Sequence, residues 1–304
     1  MDSPNRRMAD ERPRRLRKGL YILPSLFTTA NLAAGFYAIL QTALGAAYAM
    51  GYVNTQEGTP LRMAAMYFNH AALAIGFAVF FDGMDGAIAR LTHTTSDFGK
   101  ELDSLADVVT FGVAPGVLAW MWGFLCLPMT LDTDFRNKLI EFGAMIAFAF
   151  LTAGACRLAR FNIQLNPQPK NPGRPGRKYF VGLPIPGGAG CLAAIVHLCL
   201  GKPIQAWWAA IAWMVYIFAC AFLMVSTWRF WSAKSIDFRS RQASRVFVLL
   251  ALMVAALWFF HRYMLIILAG GYMISGIVFR LTYAFRKRSA TPPANPPQEA
   301  VEAR

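Results

Sequence analysis

Charged residues are scarce in this sequence of 304 residues: they make up 15%, whereas apolar residues make up 56%. An ordinary soluble domain has about 25% charged residues, so a water-soluble fold of this length would have too little charge to cover its surface. Cysteines are also few, and the five lie singly in apolar stretches without a Cys-x-x-Cys pair, which argues against a disulfide framework. The four histidines show no metal-ligand spacing. These absences favour a polytopic membrane protein.

Long apolar runs occupy most of the chain. A helix needs about 20 apolar residues to cross a bilayer. Reading along the sequence predicts eight such spans, at 22–50, 62–91, 104–125, 138–160, 181–200, 204–227, 243–261 and 263–284. The predicted fold is therefore an all-α, polytopic transmembrane helix bundle. No cleavable signal peptide is expected, because the basic stretch 1–18 leads into the first span without a small-residue cleavage site.

The distribution of basic residues predicts the orientation of the bundle. The net charge is +14, and 25 of the 30 Lys and Arg residues fall on the side of the predicted spans that carries both termini. By the positive-inside rule, both termini are expected in the cytoplasm. The basic residues lie between apolar runs rather than in one patch, so an anionic lipid surface is the expected partner and nucleic acid is not. The arm 1–18 is expected either to lie along lipid headgroups or to act as a solvated topogenic tail.

Acidic residues are concentrated in one short window. Six of the sixteen lie between positions 82 and 107, where Arg90 and Lys100 are the basic residues, so this window has a net charge of −4. Asp82 and Asp85 follow an apolar run, and a carboxylate at membrane depth needs a partner. Because too few basic residues lie nearby in the sequence, bound divalent cations are the expected partners.

Helical spacing is expected to bring four of these carboxylates together. Asp82 and Asp85 are three residues apart on one predicted helix, and Asp103 and Asp107 are four apart on the next, after a short turn at 92–99. An antiparallel helix pair would place all four at the cytoplasmic end of the bundle. Oxygen ligands without histidine or cysteine suit Mg²⁺ or Mn²⁺, with Ca²⁺ as an alternative. Two such ions at a membrane surface favour chemistry on a phosphate or diphosphate.

Three further residues share the helix of the first two carboxylates. Gly86 and Ala89 lie on the same face as Asp82 and Asp85 and leave room there for another helix or for a ligand. Arg90 follows directly and is expected either to bind a phosphate with both guanidinium arms or to anchor the span at the cytoplasmic surface.

These residues form one extended pattern, Asp82-x2-Asp85-Gly86-x2-Ala89-Arg90-x8-Gly99-x3-Asp103-x3-Asp107. The pattern resembles the signature of the CDP-alcohol phosphatidyltransferase superfamily at all eight fixed positions. The resemblance implies a helical membrane fold with a six-span core, here extended by about two C-terminal spans. It also implies that an alcohol attacks a CDP-linked lipid and that CMP is released.

Within that superfamily, residues 20–240 resemble the membrane-integral phosphatidylserine synthases. The resemblance rests on four short segments, at 23–32, 157–162, 180–186 and 223–226. The sequence departs from the pattern at Gly187-Gly188, where small alanines are expected, and at 231–234, where the match is loose. This subgroup uses CDP-diacylglycerol and L-serine, so these are the implied substrates.

The resemblance also implies a division of the chain. A basic cytoplasmic arm at 1–20 would precede the phosphatidyltransferase core at 21–240, and an additional transmembrane hairpin would follow at 241–288. The tail 289–304 contains four prolines and is expected to be disordered.

Residue roles follow from the resemblance position by position. Asp82, Asp85, Asp103 and Asp107 would ligate two metal ions, and Asp107 would also be the general base that takes the proton of the serine hydroxyl. Contacts with the CDP part are expected from four residues: Asn31, Gly86, Arg90 and Gly99. For Asn31 an interhelical hydrogen bond is an equal alternative.

Two arginines at the cytoplasmic end of the fourth span are candidates for binding the substrate. Arg157 and Arg160 are expected to bind either the acceptor carboxylate or the lipid phosphate, and cytoplasmic anchoring explains them almost as well.

The sequence leaves other functions open. The same chemistry is possible with glycerol 3-phosphate, inositol phosphate or choline as the acceptor. A membrane cation transporter is an alternative of another class, although no second copy of the aspartate cluster suggests an internal repeat. A non-catalytic scaffold gives no reason for four aligned aspartates. The expected location is the cytoplasmic membrane of a bacterium, with the active site on the cytoplasmic side, and the resemblance implies a homodimer.

Overall fold

The computed structural model describes residues 22–51, 60–92, 97–163, 179–231, 260, 262–278, 280 and 282. At 22–25, 84–92, 97, 179–180, 229 and 231 it describes the backbone alone. The predicted basic arm, the predicted seventh span up to position 259 and the proline-containing tail lie outside these residues.

Helices make up nearly all of the described chain. In the part of the sequence that the structure covers, five helical segments are long and apolar enough to cross a membrane. The helices are α1 (Ile22–Ala49), α2 (Pro60–Thr92), α3 (Asp97–Asp107), α4 (Ala114–Trp120), α5 (Thr133–Ile163), α6 (Ile185–Leu198), α7 (Trp207–Val225) and α8 (Arg262–Val278). These helices confirm the prediction of an all-α polytopic membrane protein. Helices suit a membrane because they satisfy their backbone polar groups within the segment.

The third span is a continuous rod with two wider turns. Between α3 and α4 the chain forms a π-helix at Val108–Val113, and a second one at Met121–Leu125 follows α4. At the end of the first, the N–H of Ala114 donates to the carbonyl of Val109, five residues earlier. Pro115 comes next and has no N–H to donate, so the regular ladder is interrupted at this point. The first π-helix begins directly after Asp107.

The fifth span is shorter than predicted because its entry is extended. The sequence predicts helix from 181 to 200, whereas β1 (Tyr179–Val181) pairs antiparallel with β2 (Arg229–Trp231), and α6 begins at Ile185. Gly182 connects β1 to α6 with a φ of +76°, and a Cβ there would lie 2.6 Å from the carbonyl of Met224. Only glycine fits this turn without strain. The ribbon therefore fixes the start of α6 to the end of α7.

Small residues set the spacing of the helices. α1 packs along much of α2, and buried alanines fill the space between the helices of the core. Helix α8 packs on α6, where the thiol of Cys191 donates to the carbonyl of Ala269 (3.5 Å), and on α7, where the thiol of Cys220 donates to the sulfur of Met273 (4.0 Å). Helices associate within lipid mainly through close packing. Lipid tails are as apolar as the side chains, so moving an apolar side chain from lipid into a helix contact gains little free energy.

Candidate active site

Three carboxylates meet at one end of the bundle. Asp82, Asp103 and Asp107 each place a carboxylate oxygen within 4.8 Å of the other two. Asp107 is buried, with 8% of its surface exposed, and the other two are partly buried. We call these three residues the acidic triad.

The acidic triad follows from the antiparallel arrangement of two helices. Asp82 lies in the last part of α2, and α3 begins after a short connection at 93–96. Asp103 and Asp107 are four residues apart on α3, so both side chains emerge on one helix face. The chain reversal turns that face toward Asp82. The spacing in the sequence predicted that four carboxylates would converge here, and the structure brings these three together.

The fourth predicted metal ligand and three of the predicted contacts with the CDP part lie on the same two helices. Asp85, Gly86 and Arg90 occupy the last two turns of α2, and the side chains of Asp85 and Arg90 lie outside the described residues. Gly99 lies in the first turn of α3. Their contacts with a ligand and their roles stay predictions.

Helix α1 packs closely against the helix that carries Asp107. A Cβ on Gly35 would lie 2.5 Å from Oγ1 and 2.7 Å from Cα of Thr110, so the absence of a side chain permits the contact. One turn earlier, the hydroxyl of Thr110 donates to the carbonyl of Asn31 (3.1 Å). Thr110 follows Asp107 by three residues, so this contact fixes α1 next to the acidic triad.

The side chain of Asn31 is buried in this contact region. Only 2% of the residue is exposed, and within the described part of the chain neither polar atom of its amide has a hydrogen-bond partner. Side chains of a helix lean toward its N-terminus. For α1 this is the direction of the acidic triad. A buried amide without a partner is costly, so the amide of Asn31 is well suited to bind a ligand.

Arg157 lies beside the acidic triad although it is distant in sequence. It is buried in the last part of α5, with 8% exposed, and the charges of Asp107 and Asp82 attract its guanidinium. The ring of Phe161 packs against the guanidinium at 5.5 Å. The site therefore combines a negative cluster with one buried positive charge.

Arg160 is more closely tied to the protein backbone. Its Nη1 donates to the carbonyl of Val225 at the end of α7 (3.3 Å). Nη2 is buried and has no hydrogen-bond partner among the described residues. One arm of this guanidinium therefore caps a helix, and the other is available to a ligand.

Some features of the site were not predicted from the sequence. The amide of Asn162 donates to the hydroxyl of Ser104 (2.9 Å) and connects α5 to α3. The π-helix after Asp107 and the contact of Thr110 with Asn31 were also missed. Gly112 and Pro115 were the only local signals of the irregular helix, and contacts between distant segments leave no trace in periodicity.

The donor set fits divalent metal ions. Carboxylate oxygens are hard ligands, and three of them converge within reach of one ion. The buried amide of Asn31 adds a polar group that lacks a protein partner. The acidic triad can therefore bind a metal, and its oxygen donors do not distinguish Mg²⁺ from Mn²⁺.

The chain is similar to known enzymes over most of its length. The family model described as CDP-alcohol phosphatidyltransferase matches residues 21–211. A CDP-diacylglycerol–serine O-phosphatidyltransferase of Helicobacter pylori (strain 26695) is 29% identical over 265 residues, which cover 85% of this chain and 91% of that protein. A protein of the same name in Mycobacterium leprae is 31% identical over 221 residues, which cover 71% of this chain and 60% of that protein. Another in Methanocaldococcus jannaschii is 41% identical over 136 residues, which cover 45% of this chain and 54% of that protein.

Proposed function

Because the chain belongs to the CDP-alcohol phosphatidyltransferase family, we propose that it transfers the phosphatidyl group of CDP-diacylglycerol to the hydroxyl of L-serine and releases CMP. The names of its relatives support this choice of substrates. The observation that carries the proposal is the convergence of three carboxylates with a buried arginine at one end of a membrane helix bundle.

The metal site is the first part of the proposal. Asp82, Asp103 and Asp107, with Asp85 on the same helix as Asp82, would hold two divalent cations, Mg²⁺ or Mn²⁺. When bound, these ions would neutralise the diphosphate and stabilise the departing CMP. The protein contributes the spacing of the carboxylates, which the antiparallel helices fix before substrate arrives.

Asp107 is the proposed general base. A serine hydroxyl is a weak nucleophile unless a base lies within hydrogen-bond reach of its proton. Asp107 is the most buried member of the acidic triad and begins the irregular turn of its helix. Its carboxylate would accept the hydroxyl proton while the serine oxygen attacks the phosphorus on the lipid side.

The arginines would orient the two substrates. Arg157 is buried next to the acidic triad and suits the carboxylate of L-serine, because a guanidinium binds a carboxylate through two parallel hydrogen bonds. Arg160, with one arm on the carbonyl of Val225, would offer its other arm to the lipid phosphate.

The CDP part would lie against the ends of the first three helices. The buried amide of Asn31 supports a contact there, since it lacks a partner within the described residues. Gly86 and Gly99 would allow close approach of the nucleotide, and Arg90 would bind a phosphate.

The position of the enzyme in the cell is also proposed. The helical spans make it an integral membrane protein. The excess of basic residues on one side supports cytoplasmic termini and a cytoplasmic active site in a bacterial inner membrane. A homodimer and the division at 1–20, 21–240, 241–288 and 289–304 remain predictions.

Release of CMP tests the proposed function directly. The purified chain in detergent is supplied with CDP-diacylglycerol, Mn²⁺ or Mg²⁺, and one acceptor: L-serine, glycerol 3-phosphate, inositol phosphate or choline. We expect CMP and phosphatidylserine with L-serine alone. Product with glycerol 3-phosphate and none with L-serine would overturn the choice of acceptor, and metal uptake into proteoliposomes without CMP would favour a transporter.

A metal titration tests the role of the acidic triad. We expect turnover by the unaltered chain to stop when the metal is chelated. Asp82→Ala is expected to raise the Mn²⁺ concentration required for half-maximal turnover and to weaken binding of CDP-diacylglycerol together. Full turnover after chelation would contradict the proposed metal dependence.

A further inference from the structure

Three sulfur atoms from three different helices meet in the core of the bundle. Cys191 lies on α6, Cys220 on α7 and Met273 on α8. Neither cysteine has any exposed surface, and Met273 is partly buried. We call these three residues the sulfur cluster. None of them belongs to the candidate active site described above.

The topology brings the two cysteines to the same depth in the bundle. The ribbon of β1 and β2 fixes the start of α6 to the end of α7. Cys191 lies six residues after the start of α6, and Cys220 lies five residues before the end of α7. With a helical rise of 1.5 Å per residue, both cysteines are roughly 8–9 Å from that end. Their thiols lie within hydrogen-bond reach of each other.

Helix α8 contacts both thiols. The thiol of Cys191 donates to the carbonyl of Ala269 (3.5 Å), and Sγ of Cys220 lies 4.0 Å from Sδ of Met273. Ala269 and Met273 are four residues apart, and a carbonyl in a helix points toward the residue four positions later. The thiol of Cys191 therefore meets α8 close to the level of Met273, so all three sulfurs converge.

The spacing of these sulfurs fits a shared metal ion. Two sulfur ligands at the usual distance of about 2.3 Å from a metal are about 4 Å apart when the angle at the metal is about 120°. The separation of Cys220 and Met273 therefore matches trigonal coordination, in which the sulfur of Cys191 takes the third position. Thiolate and thioether ligands select soft ions such as Cu⁺.

The charge of a monovalent ion can be balanced within the sulfur cluster. A cation inside a membrane is costly unless an anion accompanies it. When Cu⁺ binds, the S–H bond of Cys220 breaks, the sulfur keeps the electron pair and bonds to copper, and the proton leaves to solvent. One positive charge replaces another, and nothing is oxidised or reduced. The thioether of Met273 binds as a neutral ligand.

We propose that the sulfur cluster is a binding site for a soft monovalent cation, Cu⁺, held by the thiolate of Cys220, the thioether of Met273 and the sulfur of Cys191. The ion joins α8 to α6 and α7 and stabilises the bundle. Met273 has a flexible side chain and is only partly buried, so its movement can admit the ion. This site is independent of the proposed phosphatidyl transfer.

Competition with a coloured chelator tests the proposal. The full chain in detergent, with ascorbate and without oxygen, is titrated into the Cu⁺ complex of bicinchoninate. We expect each chain to withdraw one Cu⁺ and to release one proton, because the thiol must lose its proton to become a ligand. X-ray absorption at the copper edge is expected to show sulfur ligands alone, at about 2.3 Å.

Two substitutions identify the ligands. Met273→Leu removes a sulfur at nearly constant volume, and we expect the affinity for Cu⁺ to fall at least about tenfold, the smaller effect of losing even an indirect support of a metal ligand. Its matched control is Met214→Leu on α7, a thioether that packs on the core and should not affect the affinity. Cys220→Ser should abolish binding, whereas Cys156→Ser, at an exposed thiol, should not.

Four results would overturn the proposal. They are no transfer of Cu⁺ to the unaltered chain, an unchanged affinity in Met273→Leu, nitrogen or oxygen ligands in the absorption spectrum, and an equal loss of binding in Cys156→Ser and Cys220→Ser. If Cys220→Ser does not fold, Met273→Leu and the spectrum of the unaltered chain decide. CMP release measured without copper on the same preparations tests the proposed function separately.

Discussion

The two ends of the helix bundle use charged side chains in different ways. At the end opposite the acidic triad, Arg136 donates to the carbonyls of Leu125 and Leu127 (3.3 and 3.1 Å). At the same end, Arg262 donates to the carbonyl of Leu198. These carbonyls belong to helix ends or the turns after them, where no further turn of helix supplies donors. The charges here stabilise the backbone.

At the other end, charged side chains face one another across helices. Asp82, Asp103 and Asp107 share one space, and Arg157 lies beside them. Bringing like charges together is unfavourable unless a cation joins them. The arrangement therefore has no structural benefit comparable to that of the opposite end, and this difference points to ligand binding.

Arg160 shows that the difference concerns single groups rather than whole residues. It lies at the same end of the bundle as the acidic triad. Its Nη1 nevertheless donates to the carbonyl of Val225 and caps α7, as Arg262 caps α6 through the carbonyl of Leu198. A guanidinium has five N–H donors, so one arm can bind the backbone while the other binds a ligand.

Replacing one carboxylate at each end of the bundle should give the largest difference in turnover. Asp107→Asn keeps the shape of the side chain and removes the proposed base, so we expect turnover to fall roughly 10²- to 10⁴-fold. The matched change Asp132→Asn lies at the other end, where the carboxylate accepts the N–H of Phe135 (3.0 Å) and an amide oxygen replaces it well. CMP release and thermal melting measure both. Near-normal turnover in Asp107→Asn would contradict the assignment of the base.

Exchanging one arginine at each end should give a smaller effect. Arg157→Lys loses the two-armed contact with a carboxylate, and we expect the KM for L-serine to rise roughly 10- to 100-fold. Arg136→Lys should leave that KM unchanged and lower the free energy of unfolding by about 1 kcal/mol, since it loses a contact with backbone carbonyls. An equal rise of KM in both variants would remove the distinction between the two ends.

Much of this comparison could be predicted from the sequence where the signal is local. Apolar residues predicted the bounds of α2, 62–91 against Pro60–Thr92, because they recur along nearly the whole helix. The spacing of Asp103 and Asp107 placed both on one face of α3 in the same way. Local periodicity and a short connection to α2 were sufficient to predict the convergence with Asp82.

Contacts between distant segments were not predictable in this way. Thr110 and Asn31 are 79 residues apart, and nothing in either segment indicates that they meet. The ribbon of Tyr179–Val181 with Arg229–Trp231 was missed because three-residue strands beside apolar helices are too short for an alternating pattern.

The close contact of α1 at the acidic triad offers a third test. In Gly35→Ala the new Cβ would meet the backbone and side chain of Thr110, so α1 must move away from the helix of Asp107. We expect a loss of about 1–3 kcal/mol in stability together with reduced turnover. Gly76→Ala on α2 is the control, because nothing lies within 4 Å of its added Cβ. Unchanged turnover in Gly35→Ala would show that the contact does not support the site.

The smallest effect is expected where a charge serves the backbone alone. Asp132 precedes α5 and accepts the N–H of Phe135, so Asp132→Ala should lower the free energy of unfolding by about 0.5–2 kcal/mol, the usual effect of losing a helix cap. Turnover and both KM values should be unchanged, and thermal melting beside CMP release measures the difference. Asp134→Ala, in the first turn of α5, is the control, with a smaller loss of about 0.3–1 kcal/mol from the helix dipole. Turnover in Asp132→Ala could instead fall as far as in Asp107→Asn. The two ends would then not be independent, and the distinction between side chains that bind the backbone and side chains that bind a ligand would fail.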